Sequence, residues 1–169
     1  MMQTCLRELL EEMTGSLATE LHPARLNEIA LEAPHGISIL PPPFGETLED
    51  FNCVMYALDL VGTIEDPSGR PFGRFYADTQ FLSSLIDAER IVQTGEIEGA
   101  LVIWFDNGRV GHVGLAREPG RAVSKWGIGH LYEHGYFEIP KSYGSDVRFF
   151  EPLDSETAFQ LLTRYYGVR

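Results

Sequence analysis

The period of the hydrophobic residues changes near residue 100, and this change limits the chain to a fold that combines helices with antiparallel strands. Before that point, apolar residues recur every three or four positions, which is the period of one helix face. After it, residues 100–105 are continuously apolar, as in a strand buried on both faces, and Asn107-Gly108 is a strong two-residue hairpin signal. The order of helices, a strand meander and a last helix predicts an α+β fold.

Capping residues indicate where the helices begin. A first helix carries leucines at helical spacing from Leu6, and a second begins after His22 with a proline in its first turn. A short helix surrounds Cys53, and Asp78 caps the helix that follows a predicted loop over residues 62–78. Asp154 is predicted to cap a C-terminal helix.

A proline-rich stretch divides the chain. The three consecutive prolines at residues 41–43 exclude regular structure between residues 40 and 45. We therefore expect a helical N-terminal appendage over residues 1–45 and a main α+β domain over residues 46–169.

The charge of the chain excludes some classes of partner. Thirteen lysines and arginines stand against 25 aspartates and glutamates, a net charge of −12. Nucleic-acid binding requires clustered cations, so it is not expected, whereas an acidic surface would suit a basic protein partner. No apolar run is long enough for a membrane span, and acidic residues lie where a signal peptide has its apolar core. We expect no membrane partner, and action in the cytoplasm or export by a signal-independent route.

Two cysteines occur, Cys5 and Cys53, and both are predicted to be reduced thiols. A cysteine nucleophile must ionise, and a helix N-terminus favours the thiolate. Asn52 can cap the helix and place Cys53 in its first turn. Alternatively, Thr47 caps it with Asp50 as its partner, and Cys53 then lies one turn further in. The sequence leaves both starts open.

His112 is the candidate base. Counting from the Asn107-Gly108 turn pairs Phe105 with Val110 on the return strand. The same count pairs Ile103 with His112 and places His112 on the face of Val110 and of small residues. That face would leave room for a helix end or a substrate.

Three motifs carry a resemblance to a known superfamily. The segment Asn52-Cys53-x-x-Tyr56-Ala57 resembles the cysteine motif that opens the core helix of NlpC-type and CHAP-type hydrolases. The segment at residues 111–114, Gly-His-Val-Gly, resembles their histidine strand. The tetrapeptide Ser-Lys-Trp-Gly at 124–127, then His134 and Ser-Tyr-Gly at 142–144, is similar to poorly characterised bacterial and phage domains placed near that superfamily.

The resemblance implies a papain-like domain in which Cys53 and His112 meet between a helix and an antiparallel sheet. It also implies acyl chemistry on amide or ester bonds. His134 is favoured, over His130 and Glu133, as the polar group that orients the base. Asn52, Tyr56 and Trp126 are expected to contribute to substrate binding. The usual Asp-Cys-Ser/Ala pattern at the nucleophile is Asn-Cys-Val here, at residues 52–54.

Two further points stay open in the sequence. If Pro119-Gly120 is a tight two-residue turn, Lys125 lies on the His112 face, whereas a longer loop reverses the faces and turns Trp126 towards it. His130 and His134, four residues apart, can share a helix face as zinc ligands do, although the surrounding glycines disfavour a helix. No metal site is therefore predicted.

The predicted function is that of a cysteine hydrolase or acyltransferase acting on a peptide or protein substrate through Cys53 and His112. No cofactor is expected, because no glycine-rich phosphate loop follows a strand into a helix. The alternative is a catalytically inactive papain-like module that binds or regulates a partner through its acidic surface.

Overall fold

The chain has an α+β fold in the computed structural model, which describes residues 2–43, 46–61 and 77–167. These residues form five α-helices and seven strands. The helices are α1 (Met2–Ser16), α2 (His22–Glu32), α3 (Cys53–Ala57), α4 (Thr79–Asp87) and α5 (Ser155–Tyr165). The strands are β1 (Ser38–Leu40), β2 (Gln93–Thr94), β3 (Leu101–Asp106), β4 (Arg109–Ala116), β5 (Arg121–Lys125), β6 (Leu131–Gly135) and β7 (Asp146–Phe150).

All seven strands join one antiparallel sheet in the order β1-β6-β5-β4-β3-β7-β2, so β4 and β3 lie at its centre. One side, here called the α3 face, carries Leu101, Ile103 and Val113 and is covered by α3, α4 and α5. The opposite side, here called the α1 face, carries Val102 and Trp104 and is covered by α1 and α2. Because both sides are covered, the first five residues of β3, Leu101 to Phe105, are all apolar and buried.

Three predicted caps are confirmed. The side chains of Asn52, Asp78 and Asp154 each accept a hydrogen bond from the backbone N–H three residues later, which satisfies an orphan donor of the first turn. The helix at Cys53 therefore starts with the Asn52 cap. Thr47 instead donates from its backbone N–H and hydroxyl to Asp50, in a turn before the helix. The predicted loop over residues 62–78 lies outside the described residues except for its last two positions.

The hairpin between β3 and β4 has the predicted turn but a different register. Asn107 and Gly108 both have positive φ, and Phe105 pairs with Val110 as expected. The predicted pairing of Ile103 with His112 is wrong: His112 pairs with Trp104, because the ladder shifts between Trp104 and Phe105. A bulge of this kind inserts one residue and turns every later side chain of the strand to the other face.

The third strand follows the longer-loop alternative. Arg117 and Arg121 close a connection of residues 118–120, and Ala116 pairs with Ala122. Trp126 therefore lies on the α1 face with His112, whereas Lys125 lies on the α3 face.

The segment after residue 127 contains a strand where irregular chain was predicted. β6 pairs with β5 and places His134 opposite Ala122, and β1 pairs with β6 at the sheet edge. The alternative in which His130 and His134 share a helix face is therefore wrong. Glycines and a charged residue obscure the alternation that identifies a strand.

The first forty residues belong to the same sheet assembly. β1 supplies an edge strand, and α1 and α2 bury Leu10 and Ile29 completely against the α1 face. The Arg7 guanidinium on α1 donates to a cluster of acceptors between β6 and β7, namely the carbonyls of Ile139, Pro140, Lys141 and Gly144 and the Ser145 hydroxyl. A boundary at residues 45/46 stays a prediction. No helix in the described ranges is long and apolar enough to cross a membrane.

Candidate active site

A gap between β4 and β5 is the structural basis of the site. The two strands are paired at Leu115 and Val123, but no further pairing follows towards the start of β4. Continuing the register would place Val113 opposite Lys125. At Gly114 the strands come so close that an added Cβ would lie 2.6 Å from the Val123 carbonyl oxygen. Beyond this contact the ladder opens and leaves the Val113 edge of β4 available to another group.

Cys53 fills that place from the α3 side. It is the first residue of α3, and the Asn52 side chain both caps the helix and donates to the Ala77 carbonyl, which ties the helix start to the approach to α4. The Val113 N–H, which points away from β3, donates towards the Cys53 sulfur. The sulfur thus interacts with the edge of β4 that β5 leaves unpaired.

The thiol of Cys53 is protonated at neutral pH. Burial raises its pKa to about 11, because a thiolate loses hydration there, and hydrogen bonds from the backbone N–H groups of Val113, Val54 and Cys53 itself offset part of the rise. The positive charge of Lys125 acts in the same lowering direction. The residue as a whole keeps partial exposure.

His112 lies on the α1 face, beyond the gap. Its ring stacks on Tyr143 with the centroids 4.0 Å apart and 18° between the planes, and the Trp104 ring is 5.4 Å away. The side chain is buried, and its Nε2 atom has no hydrogen-bond partner among the described residues. Burial, and secondarily the charge of His134, hold the pKa of His112 well below its ordinary value, so the imidazole is neutral at neutral pH.

No hydrogen bond joins the Cys53 sulfur to His112 within the described residues. The predicted pair is therefore separate in this structure, with one member reaching the gap from each face. Tyr143 lies near both residues. Its ring stacks on His112, and the pKa of its hydroxyl is raised mainly by burial and secondarily by the negative charge of a Cys53 thiolate. Whether the pair acts together stays a prediction.

His134 belongs to a buried hydrogen-bond chain. Its Nδ1 atom is 2.9 Å from the Gly135 carbonyl, which can only accept, so Nδ1 donates and Nε2 accepts from the Ser124 hydroxyl at 2.7 Å. Trp126 Nε1 in turn donates to Ser124. Burial lowers the pKa of His134 to about 4. Since both ring nitrogens are used, His134 does not orient His112 by a hydrogen bond here.

Lys125 is a site residue that sequence reasoning missed. Its side chain is completely buried on the α3 face, where Nζ donates to the Gly127 carbonyl at 2.8 Å and lies 5.2 Å from the Phe51 ring centroid. Burial lowers its pKa to about 8, against a smaller rise caused by Cys53. The available signal was a lysine inside the apolar β5 segment, within the motif already singled out.

The three predicted substrate-binding residues have different positions. Tyr56 lines a groove of about 340 Å³ together with apolar residues that include Ala57 and Leu115. Asn52 is committed to the helix cap and to Ala77. Trp126 is 1% exposed, so it does not line an open groove.

No group of three histidine, cysteine, aspartate or glutamate side chains within the described ranges could hold an ion. His130, which the sequence offered with His134 as a possible zinc ligand, is hydrogen-bonded to the Thr19 carbonyl and contacts the His22 ring edge to face.

No protein-family model, curated protein or solved structure was found to match this chain. The papain-like relationship therefore stays a prediction from the sequence motifs, whereas the α+β fold is confirmed.

Proposed function

We propose that the protein is a cysteine hydrolase or acyltransferase that acts on amide bonds of a peptide or protein substrate. Cys53 is the nucleophile and His112 the proton acceptor. The observation that carries the proposal is the buried Nε2 atom of His112, which has no hydrogen-bond partner among the described residues. His112 directly precedes Val113, whose backbone N–H interacts with the Cys53 sulfur where the sheet opens. Action in the cytoplasm and the papain-like relationship are parts of the same proposal.

A buried ring nitrogen without a partner is costly to keep. Leaving such a group unsatisfied costs about 1–3 kcal/mol, and native proteins retain few of them. His112 stacks well on Tyr143, yet an apolar ring would make that contact without the cost. A reactive role for the ring nitrogen explains why a histidine occupies the position.

The resting protonation states suit general-base catalysis. Cys53 holds its proton and His112 is neutral, so the imidazole can accept the thiol proton as the sulfur bonds to the acyl carbon. The C–N bond then breaks and the amine leaves with the proton returned by His112. Water cleaves the thioester to a free acid, or a second amine takes the acyl group. Proton transfer requires the two atoms to approach to about 3 Å when substrate binds.

The backbone at the start of α3 offers donors for the oxyanion. The Cys53 and Val54 N–H groups lie in the first turn, where helical acceptors are lacking, and both interact with the sulfur. The Asn52 side chain uses the Met55 N–H, so it does not compete for these two donors. A carbonyl oxygen beside the sulfur would receive them as negative charge develops.

Two observations favour the second candidate, a catalytically inactive binding module. The pKa of the Cys53 thiol is raised, and Cys53 and His112 are not hydrogen-bonded. In that case the acidic surface, with a net charge of −12 for the chain, would meet a basic partner.

Turnover of small activated esters and of fluorogenic peptidyl amides distinguishes the two candidates. The hydrolase proposal predicts turnover that Cys53→Ser abolishes and that the matched change Cys5→Ser leaves intact. If turnover is absent, or equal in Cys53→Ser and the unchanged protein, the hydrolase is ruled out and the binding module remains.

A further inference from the structure

Lys125 is the charged side chain that the sheet directs towards the nucleophile. The β4–β5 register, continued beyond Leu115 and Val123, places Lys125 opposite Val113, whose N–H interacts with the Cys53 sulfur. The sulfur therefore lies where the backbones of Val113 and Lys125 would have paired. Lys125 is on the α3 face, the side from which Cys53 enters.

The Lys125 ammonium has little other compensation for its burial. Its side chain has no exposed surface. Within the described residues it has one hydrogen-bond acceptor, the Gly127 carbonyl, and one aromatic neighbour, Phe51, two residues before Cys53. No carboxylate in the described ranges forms an ion pair with it. A buried cation that lacks a carboxylate partner is costly unless a nearby group gains negative charge.

We infer that Lys125 is the cation that stabilises negative charge on the Cys53 sulfur. It acts as a positioning residue through the nucleophile, so the inference deepens the proposed function and rests on it. The electrostatic effects of the two groups on each other agree with this inference. Lys125 lowers the pKa of the Cys53 thiol and Cys53 raises the pKa of Lys125, and both shifts favour a thiolate–ammonium pair. The described groups around the pair add no competing cation: Phe51 before α3, Val113 on β4 and Leu131 on β6 are apolar, and burial raises the pKa of the Tyr143 hydroxyl, which stays neutral.

Competition between two alkylating reagents measures the charge beside the sulfur. Iodoacetate and iodoacetamide are similar in size and attack in the same way: the thiolate forms an S–C bond, iodide leaves, and the thiol proton passes to solvent. The ratio of their rates therefore cancels the thiolate fraction and reports the local field. Cys5→Ser leaves Cys53 as the sole thiol, because the chain has two cysteines.

Lys125→Met in the Cys5→Ser protein is expected to lower the iodoacetate-to-iodoacetamide ratio about fivefold, because the anionic reagent loses its attraction to the site. Lys125→Arg, which keeps the charge, is expected to restore most of the ratio. Lys141→Met is the matched control, since Lys141 is exposed and is the only other lysine. An unchanged ratio in a folded Lys125→Met variant would overturn the inference.

A second measurement needs no change at Lys125. With two lysines in the chain, ¹³C-lysine labelling gives two side-chain signals, and Lys141→Met assigns them. Carboxymethylation of Cys53 by iodoacetate fixes a negative charge on the sulfur's substituent and is expected to raise the Lys125 titration midpoint relative to the neutral iodoacetamide adduct. Equal midpoints in the two adducts would contradict the inference.

These outcomes are separable from those of the proposed function. If the iodoacetate-to-iodoacetamide ratio depends on Lys125 but the protein shows no turnover, the hydrolase proposal fails and the inference about Lys125 stands. If turnover requires Cys53 but the alkylation ratio is the same in Lys125→Met, the hydrolase proposal stands and the inference about Lys125 fails.

Discussion

At the scale of single residues, the site combines groups that are each poorly satisfied. The Cys53 thiol has a raised pKa, the His112 ring nitrogen lacks a partner, and the Lys125 ammonium is buried without a carboxylate. Natural proteins keep such features mainly where function requires them. Their grouping around one gap in the sheet is the main physical argument for chemistry at this place.

His112→Phe tests whether the histidine is retained for stability or for reaction. Phenylalanine keeps an aromatic ring against Tyr143 and removes the unpartnered Nε2 atom. We expect the free energy of unfolding to stay the same or to rise by about 1 kcal/mol, while turnover is lost. Urea denaturation measures the first quantity. A loss of more than about 2 kcal/mol would show that His112 is a structural residue.

At the scale of elements, the start of α3 holds the nucleophile through one side chain. Asn52 accepts from Met55 and donates to the carbonyl of Ala77, which is fully buried. Aspartate at this position keeps the acceptor and loses the donor, whereas alanine loses both.

Asn52→Asp is expected to retain the helix cap but destabilise the protein by about 1–3 kcal/mol, because it leaves the buried Ala77 carbonyl unpaired and brings a carboxylate towards it. Asn52→Ala is expected to add the loss of the cap, about 1 kcal/mol. Chemical denaturation of both variants checks the order. A fully stable Asn52→Asp protein would mean that the Ala77 bond contributes nothing.

Gly114→Ala tests the close approach that precedes the β4–β5 gap. The added methyl would lie 2.6 Å from the Val123 carbonyl oxygen and 2.8 Å from the Ser124 Cβ, so the strands must separate. We expect a loss of about 1–3 kcal/mol together with a changed alkylation rate at Cys53.

The matched control is Gly15→Ala, where a Cβ meets nothing within 4 Å and the backbone is helical. That change is expected to be neutral or to stabilise by up to about 1 kcal/mol. Equal effects of the two substitutions on unfolding would contradict the account of the gap.

Local signals predicted the elements well and the relations between them less well. Asn52 and Asp154 cap helices because a polar side chain before an apolar period acts within four residues. The bulge before His112 and the length of the loop at Pro119-Gly120 depend on packing elsewhere. At Gly111 the Tyr143 backbone carbonyl approaches so closely that a Cβ would collide with it. A register shift of one residue at the bulge changes the face of the sheet on which His112 lies, and one at the loop changes the face of Lys125. No local sequence pattern predicts either shift.

At the scale of the whole molecule, the N-terminal helices α1 and α2 cover the face of the sheet on which the buried histidines lie. His22 on α2, His112 on β4 and His134 on β6 all lie on the α1 side and are at most 2% exposed. His22 is bonded to the Tyr132 hydroxyl, so even the second helix takes part in this buried polar layer. The layer joins the first forty residues to the sheet both by packing and by this hydrogen bond.

Stability is expected to fall as the pH decreases from about 7 to about 4. Burial lowers the pKa of each of these histidines, to about 4 for His134, below the ordinary value of 6.5. The unfolded chain therefore binds more protons than the folded one over this range, and the free energy of unfolding decreases with falling pH; above about pH 7.5 these groups have no effect. Carboxylates with lowered pKa values, such as Asp154, add to the loss only near and below their ordinary value of 3.8.

Urea unfolding at about pH 7, 6 and 5 checks this dependence. His112→Phe is expected to reduce the slope by up to one bound proton. A free energy of unfolding that is constant, or that rises, between pH 7 and 5 would contradict the burial of neutral histidines.

The acyl-enzyme is the most direct test of the central claim that Cys53 is a nucleophile served by His112. The Cys5→Ser protein is mixed with an activated ester, and its intact mass is followed with time. The account predicts an added acyl group located at Cys53 by peptide mapping, followed by return to the starting mass, and a much slower acylation in His112→Phe. Acylation of Cys53 that is no faster than that of free cysteine at the same pH, or that is unchanged in His112→Phe, would contradict it.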